Sequence, residues 1–327
     1  MQTMIKTVKR AFSQIPQLEV CVRMLYWKYP VINHLIRRIS RTSTKASVKC
    51  ARMSEDENAF TLEMLSNAIR KHGIAQGDIL IVHSSMQSLA PTGAGPTEII
   101  DMLIDLVGVD GTLVMPAIPK YSEAPTGVER ISQDLSESVW TYNVQRTPPW
   151  TGALPHKLMK RPGAIRSRFP LNTVVALGKH AHSMMDHELD TPGATPCGPA
   201  SAWAYCANHN AKVLMLGVDL AHSLTMIHVA EDCHEDDWPV AGWYRPRKFL
   251  VKDQDSESLV NVRERHPKWA MHYGERKLNA DLINAGVAHK TRLESLSIIS
   301  LESQTLLRFL DDRKPRGYPY FLWSMSQ

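Results

Sequence analysis

From residue 56 onward, short apolar runs alternate with stretches of helical periodicity. Phe60, Leu62, Leu65, Ile69 and Ile74 recur at helical spacing and predict an amphipathic helix ending at Gly73. Gly77-Asp78 marks a turn. Ile79, Leu80, Ile81 and Val82 then predict a buried strand that delivers His83, Ser84, Ser85 and Met86 at its carboxyl end. Gly93 and Gly95 belong to a loop, with Thr97 the expected N-cap of a helix from Glu98 to Val107. After Gly111, Leu113, Val114 and Met115 predict the next strand, closed by Pro116. The result is a β-α-β unit whose glycine-containing loop suits an anion, because free backbone amides and the helix dipole face it there. Neither G-x-G-x-x-G nor G-K-[ST] occurs at this point, which disfavours a dinucleotide fold or a P-loop.

Residues 119–150 break the pattern. Tyr121, Pro125, Trp140, Tyr142, Pro148, Pro149 and Trp150 predict a long ordered loop, and such loops are commonly functional. A helix resumes over Gly152 to Leu158, and a strand follows at Val174–Leu177. Ser201 is placed to cap a helix leading into a strand at Val213, Leu214, Met215 and Leu216. Beyond it the pattern predicts a strand at Lys248–Val251 and helices near 273–285 and 303–311.

The strand at 213–216 ends at Gly217, and His228 and Glu231 follow three positions apart. On a helix that spacing puts both side chains on one face, where a carboxylate can orient and charge-stabilise an imidazole. The residues alone leave two readings open: a general base at the mouth of a sheet, or a His–Glu pair on the surface.

Charge divides the chain. Residues 1–52 carry eleven Lys or Arg against the single acid Glu19, whereas the remainder holds 27 basic and 32 acidic side chains. An acidic body suits a cationic or amine-bearing small molecule better than nucleic acid, and no recognition motif for nucleic acid accompanies the basic arm. Arg37, Arg38 and Arg41 follow an apolar patch in that arm. An amphipathic helix on an anionic membrane surface, at the inner face, is one expectation. The favoured alternative is a helical extension over residues 1–55 packed on the body or on a second subunit. No apolar run approaches the ~20 residues of a membrane span. Cys21, Cys50, Cys197, Cys206 and Cys233 include no C-x-x-C pair, so a reducing, cytoplasmic setting is expected. Cys197, Cys206, His222, His228, Cys233 and His234 are zinc-compatible types, but their spacings fit no usual site and no metal is expected.

Four stretches together resemble the antibiotic N-acetyltransferase family, whose best-known members are aminoglycoside 3-N-acetyltransferases. The first is G-D-x-L-x-V-H-S-S at Gly77 to Ser85, with G-T-L-V-M-P at Gly111–Pro116. The second is T-P-x-x-x-G-A-L-P at Thr147 to Pro155. The third is R-P-G-x-x-R-S-x-x-P at Arg161 to Pro170, with A-L-G at Ala176 to Gly178. The fourth is L-x-L-G-V then T-x-x-H-x-A-E, from Leu214 to Glu231. The resemblance covers about residues 57–310. It implies an α/β fold with a central mixed sheet flanked by helices, a single large domain over 56–327, and the basic arm as an N-terminal helical extension.

The resemblance also implies acetyl-CoA as acyl donor and an amino group of an amino sugar as acceptor. His228 would be the general base, with Glu231 orienting it and His83 near the thioester or acceptor. Ser84, Ser85, Gly93, Gly95 and Thr112 would line the coenzyme A path, with Asn172 and Thr173 opposite. Three departures stand out: Phe169 where the family has a His before Pro170, Asn143 where it has an Asp, and His156 where it has a Glu. Losing carboxylates points away from a polycationic drug and toward a metabolic amino sugar, sugar-nucleotide- or lipid-linked. Glu231, Asp232, Glu235, Asp236 and Asp237 are either compensating charges or a solvated face. A catalytically altered, coenzyme A-binding scaffold docked through the arm is the alternative.

Overall fold

The computed structural model describes residues 11–29, 59–125, 129–221, 223–235 and 242–313. Among these, the strands are β1 (Ile79–Ser84), β2 (Thr112–Pro116), β3 (Val139–Asn143), β4 (Ile165–Arg166), β5 (Val174–Gly178), β6 (Lys212–Leu216), β7 (Tyr244–Asp253), β8 (Ser256–Arg265), β9 (Ala288–Leu293) and β10 (Leu296–Glu302). The main sheet has the order β4-β5-β2-β1-β6-β10-β9. β1 is central and parallel to both β2 and β6, and the outer strands run antiparallel, so the sheet is mixed as expected.

Successive side chains of a strand point to opposite faces, and here both faces are covered. Leu80, Val82, Leu113, Met115, Leu214 and Leu216 pack under α2 (Leu62–Lys71), α3 (Pro96–Val107) and α4 (Ala153–Leu158). Ile79, Ile81, Val114, Val213 and Met215 pack under α5 (Ala202–Asn208), α6 (Ile227–Asp232), α7 (Glu275–Asn284) and α8 (Ser303–Arg313). Two layers of helices around continuous apolar strands give the doubly covered sheet of an α/β protein. The α3 cap differs from expectation. Gly95 is the N-cap, Pro96 opens the helix, and Glu98 Oε2 accepts from the Gly95 amide at 2.6 Å. Proline lacks the N–H that the first turn leaves unsatisfied, so the helix starts before Thr97.

Gly217, just past β6, has φ +69°. A Cβ there would lie 2.1 Å from Ser88 Cβ, in the turn that follows β1. Glycine is required both by the left-handed backbone and by this close approach.

A second sheet, β3-β7-β8, takes β3 from the region expected to be loop, while β7 contains the strand expected at Lys248–Val251. β3 pairs parallel to β7, Trp140 opposite Phe249, and β7 forms an antiparallel hairpin with β8. Its core joins Trp140, Tyr142, Phe169, Phe249, Val251 and Val262. Charge is buried here too. Glu264 Oε2 accepts from Arg247 Nη1 at 2.8 Å and from Arg245 Nη2 at 3.0 Å, and Arg130 pairs with the other oxygen. Arg247 is fully buried, with its guanidinium carbon 4.0 Å from the Trp140 ring centroid.

Within the arm, α1 (Pro16–Lys28) packs on the body beside α7 and the 3-10 turn 267–272. Residues 1–10 and 30–58, including the basic patch at Arg37, Arg38 and Arg41, lie outside the described residues.

Candidate functional site

β6 ends at Leu216, and the chain turns at Gly217 and returns as the short helix α6. One helical turn separates His228 from Glu231, and His228 Nδ1 lies 2.7 Å from Glu231 Oε2. This is no surface pair: the Glu231 side chain is fully buried, while that of His228 is 29% exposed. Burial alone would raise the Glu231 carboxyl. The His228 charge and hydrogen bond, Arg265 and the Tyr273 hydroxyl outweigh it and hold the group below the usual carboxylate range. An ionised carboxylate only accepts, so Nδ1 carries the hydrogen, and in the neutral imidazole the lone pair is then on Nε2. The imidazole is thereby fixed in the tautomer a base requires.

Both residues line a cavity of about 250 Å³. Its far wall holds Trp243 and Trp269, whose rings stack at 5.9 Å, together with Tyr273 and Arg265. Tyr273 donates its hydroxyl to Glu231 Oε1. Arg265 lies between two carboxylates, with Nε 3.5 Å from Glu231 and Nη1 2.7 Å from Asp232. Asp232 also accepts from the Tyr244 hydroxyl and the Cys197 amide. Sequence reasoning missed Tyr273 and Arg265. They come from segments distant in the chain, and nothing in their local spacing ties them to His228.

A second cavity of about 170 Å³ opens at the carboxyl ends of β1 and β2. Val82, His83 and Ser84 form one side, Pro116, Trp150 and Thr151 another, and Ser223 and Thr225 line both cavities. The carboxyl edge beside the central strand is where open α/β sheets bind ligands. His83 is buried, and among the described residues its Nε2 has no hydrogen-bond partner. Desolvation lowers its pKa to about 4, so the imidazole is neutral at physiological pH.

The remaining residues expected along the coenzyme path are spread more widely. Ser85 Oγ accepts from the Ser88 amide, Gly93 closes a 3-10 turn with φ +69°, and Gly95 caps α3. Thr112 is buried in β2 and accepts from the His180 amide. The Thr173 hydroxyl donates to Phe169 O, and Asn172, at φ +47°, donates to Cys197 Sγ at 3.5 Å. None of these six is among the residues lining either cavity.

The departures are also placed elsewhere. Phe169 is in the core of the second sheet, Asn143 caps the turn at 145–146, and His156 sits on α4; none lines either cavity. The described part of the acidic cluster is not a solvated face. Glu231 and Asp232 are buried, and Glu235 forms two 2.6 Å bonds with Arg263; Asp236 and Asp237 lie outside the described residues. Among the described residues no group of three or more His, Cys, Asp or Glu is placed to hold a metal, and His222 lies outside them. No described helix is long and apolar enough to cross a membrane.

A sheet whose carboxyl edge carries one cavity, next to a second cavity with a carboxylate-oriented imidazole, suits a two-substrate group-transfer enzyme. The family model described as aminoglycoside 3-N-acetyltransferase matches residues 81–313, and the chain belongs to that family of acyltransferases. Aminoglycoside N(3)-acetyltransferase VIII of Streptomyces fradiae is 29% identical over 260 residues, covering 72% of this chain and 85% of that one. The crystal structure of aminoglycoside acetyltransferase AAC(3)-Xa superposes with a TM-score of 0.62 at 20% identity, over 81% of this chain and 95% of its own. AAC-IIIb in its binary complex with CoASH gives 0.59 at 21%, over 80% and 98%. These two likenesses establish the fold.

Proposed function

We propose that the protein acetylates an amino group of an aminoglycoside from acetyl-CoA, with His228 as general base. The observation that carries this is the buried Glu231 carboxylate 2.7 Å from His228 Nδ1, in a cavity that also presents stacked indoles. Aromatic faces suit the apolar faces of a sugar ring, and the Glu231 carboxylate gives the cavity wall negative charge toward an amine. The Streptomyces fradiae relative is itself named for N(3)-acetylation of aminoglycosides.

The donor fits the second cavity. His83 Nε2 is a buried polar atom without a protein partner at the carboxyl edge of the sheet, which marks a place for a polar ligand group. Bound acetyl-CoA supplies the activated acetyl group there. The chain's own residues do the rest. His228 Nε2 takes a proton from the attacking nitrogen as the C–N bond to the acetyl carbon forms and the thioester C–S bond breaks. Glu231 stabilises the imidazolium that forms, and that proton returns to the departing sulfur to release the free thiol. Tyr273 and Arg265 hold Glu231 in place. His83, kept neutral by burial, is assigned as the hydrogen-bond donor to the acetyl oxygen as negative charge develops there.

The departures at Asn143, His156 and Phe169 lie off both cavities and leave the aminoglycoside reading in place. The test is thiol release from acetyl-CoA by wild type and His228→Ala. The acceptor panel contains kanamycin, neomycin, glucosamine and a nucleotide-linked amino sugar. Turnover of aminoglycosides, lost in the variant with coenzyme A binding kept, is expected. Faster turnover of the simple or nucleotide-linked sugars would move the acceptor to metabolism. Binding of acetyl-CoA without turnover of any amine would sink the enzymatic reading.

A further inference from the structure

The single acid among residues 1–52 is almost fully buried. Glu19, on α1, is 1% exposed, and its carboxylate accepts from the Arg276 amide at 3.1 Å, from Arg276 Nη1 at 2.6 Å and from Arg23 Nη2 at 3.0 Å. Arg23 reaches further. Its Nη1 donates to Ala270 O at 3.0 Å, and its Nη2 lies 2.5 Å from Glu275 Oε2. Ala270 and Glu275 both line the cavity that holds His228. The Arg23 and Glu275 side chains are only 17% and 22% exposed, so water screens this pair less than it screens a surface pair. Arg23 and Glu19 also precede residues 81–313, the span matched by the family.

We propose that α1 sets the charge of the acceptor cavity: Arg23 is a specificity-determining positioning residue that neutralises Glu275 and withholds its carboxylate from cationic acceptors. Glu19 is the anchor that makes this stable. It fixes Arg23 on one side and the start of α7 on the other, so the guanidinium is presented to Glu275 in one orientation. Without Arg23, Glu275 loses this cation and the cavity wall becomes more negative by one charge. A multiply charged acceptor gains more from that change than a singly charged one, and acetyl-CoA is held elsewhere.

This inference rests on the reading of the cavity as the acceptor site, and binding separates the two. Calorimetry gives the Kd of neomycin and of glucosamine for wild type, Arg23→Gln, Arg23→Lys, Glu275→Gln and the Arg23→Gln/Glu275→Gln double variant. Arg23→Gln should bind neomycin about three- to tenfold tighter, the size of one nearby charge at intermediate dielectric. Glucosamine should change less than about twofold, because it carries one charge. Arg23→Lys should match wild type, the double variant should match Glu275→Gln, and the gain should shrink at high salt. Equal changes for both acceptors, weaker neomycin binding, or a gain that persists without Glu275 overturns the proposal. If wild type binds neomycin but transfers no acetyl group, the functional reading fails and the charge comparison still stands. If wild type binds neither acceptor, both fail.

Discussion

Replacing Glu231 by Gln keeps the shape of the side chain and removes its charge. The imidazolium formed at His228 would then lose a charge-assisted partner now 2.7 Å away in a buried setting. Hydrogen bonds to charged groups contribute about 1.5–3 kcal/mol, so kcat/KM should fall roughly 10- to 150-fold. Arg265 keeps its 2.7 Å pair with Asp232, so the substitution leaves no guanidinium without a carboxylate. The loss is therefore expected in catalysis more than in folding. The assay is steady-state thiol release, with thermal unfolding as control and the His228→Ala/Glu231→Gln double variant as the decisive arm. If Glu231 acts through His228, the double variant is no slower than His228→Ala. Losses that multiply, or a Glu231→Gln enzyme within about twofold of wild type, would refute the coupling of carboxylate to imidazole.

His83→Asn should lower kcat by about 10- to 100-fold and leave acceptor Kd unchanged, as expected for a donor to developing charge. It should also remove an acid limb of stability. The folded imidazole has a pKa of about 4 against 6.5, so the unfolded chain binds more protons between those values. Wild type then loses up to about 3 kcal/mol as pH falls from 6.5 to 4, and urea unfolding across that range reads the difference. Burial would raise the Glu264 carboxyl, but the charges of Arg130, Arg245 and Arg247 outweigh it and hold it at about 2. Glu264→Gln should therefore cost about 3 kcal/mol at neutral pH, with the gap closing as pH falls from 4.5 toward 2 and wild type itself protonates. A gap independent of pH would show that the ion cluster is not its source. Gly217→Ala should destabilise by about 2–4 kcal/mol through strain and the clash with Ser88, and Ser88→Gly should restore part of it in a thermal melt. A Tm unchanged by Gly217→Ala would contradict that packing.

The core β-α-β unit was legible because its strands are continuous apolar runs that only a doubly covered sheet explains. Ile79–Val82 and Leu113–Met115 read as strands, and His228 and Glu231 meet as their spacing required. The second sheet was hidden by its interior charges. Binary patterning assigns Arg247 and Glu264 to solvent, yet both are buried against each other, so the inward face of β8 reads as only Val260 and Val262 between polar residues. β3 was hidden by its length and by the prolines and aromatics around it. Within the site, a helix turn is local and readable, whereas Tyr273 and Arg265 reach Glu231 through tertiary folding alone. The arm shows the same limit. A charge tally marks Glu19 as the lone acid of residues 1–52, but only the fold shows that it lies beneath two arginines.

Ser223 and Thr225 belong to the walls of both cavities, with Gly217 and Val218 leading the chain into the segment that carries them. A ligand that shifts this segment from one side remakes the surface met by a ligand on the other. The two equilibria are then linked, and linkage is symmetric: whatever factor the donor contributes to acceptor affinity, the acceptor returns to the donor. Where the two cavities take the two substrates, a wall that neither owns alone gives their affinities one shared interaction factor.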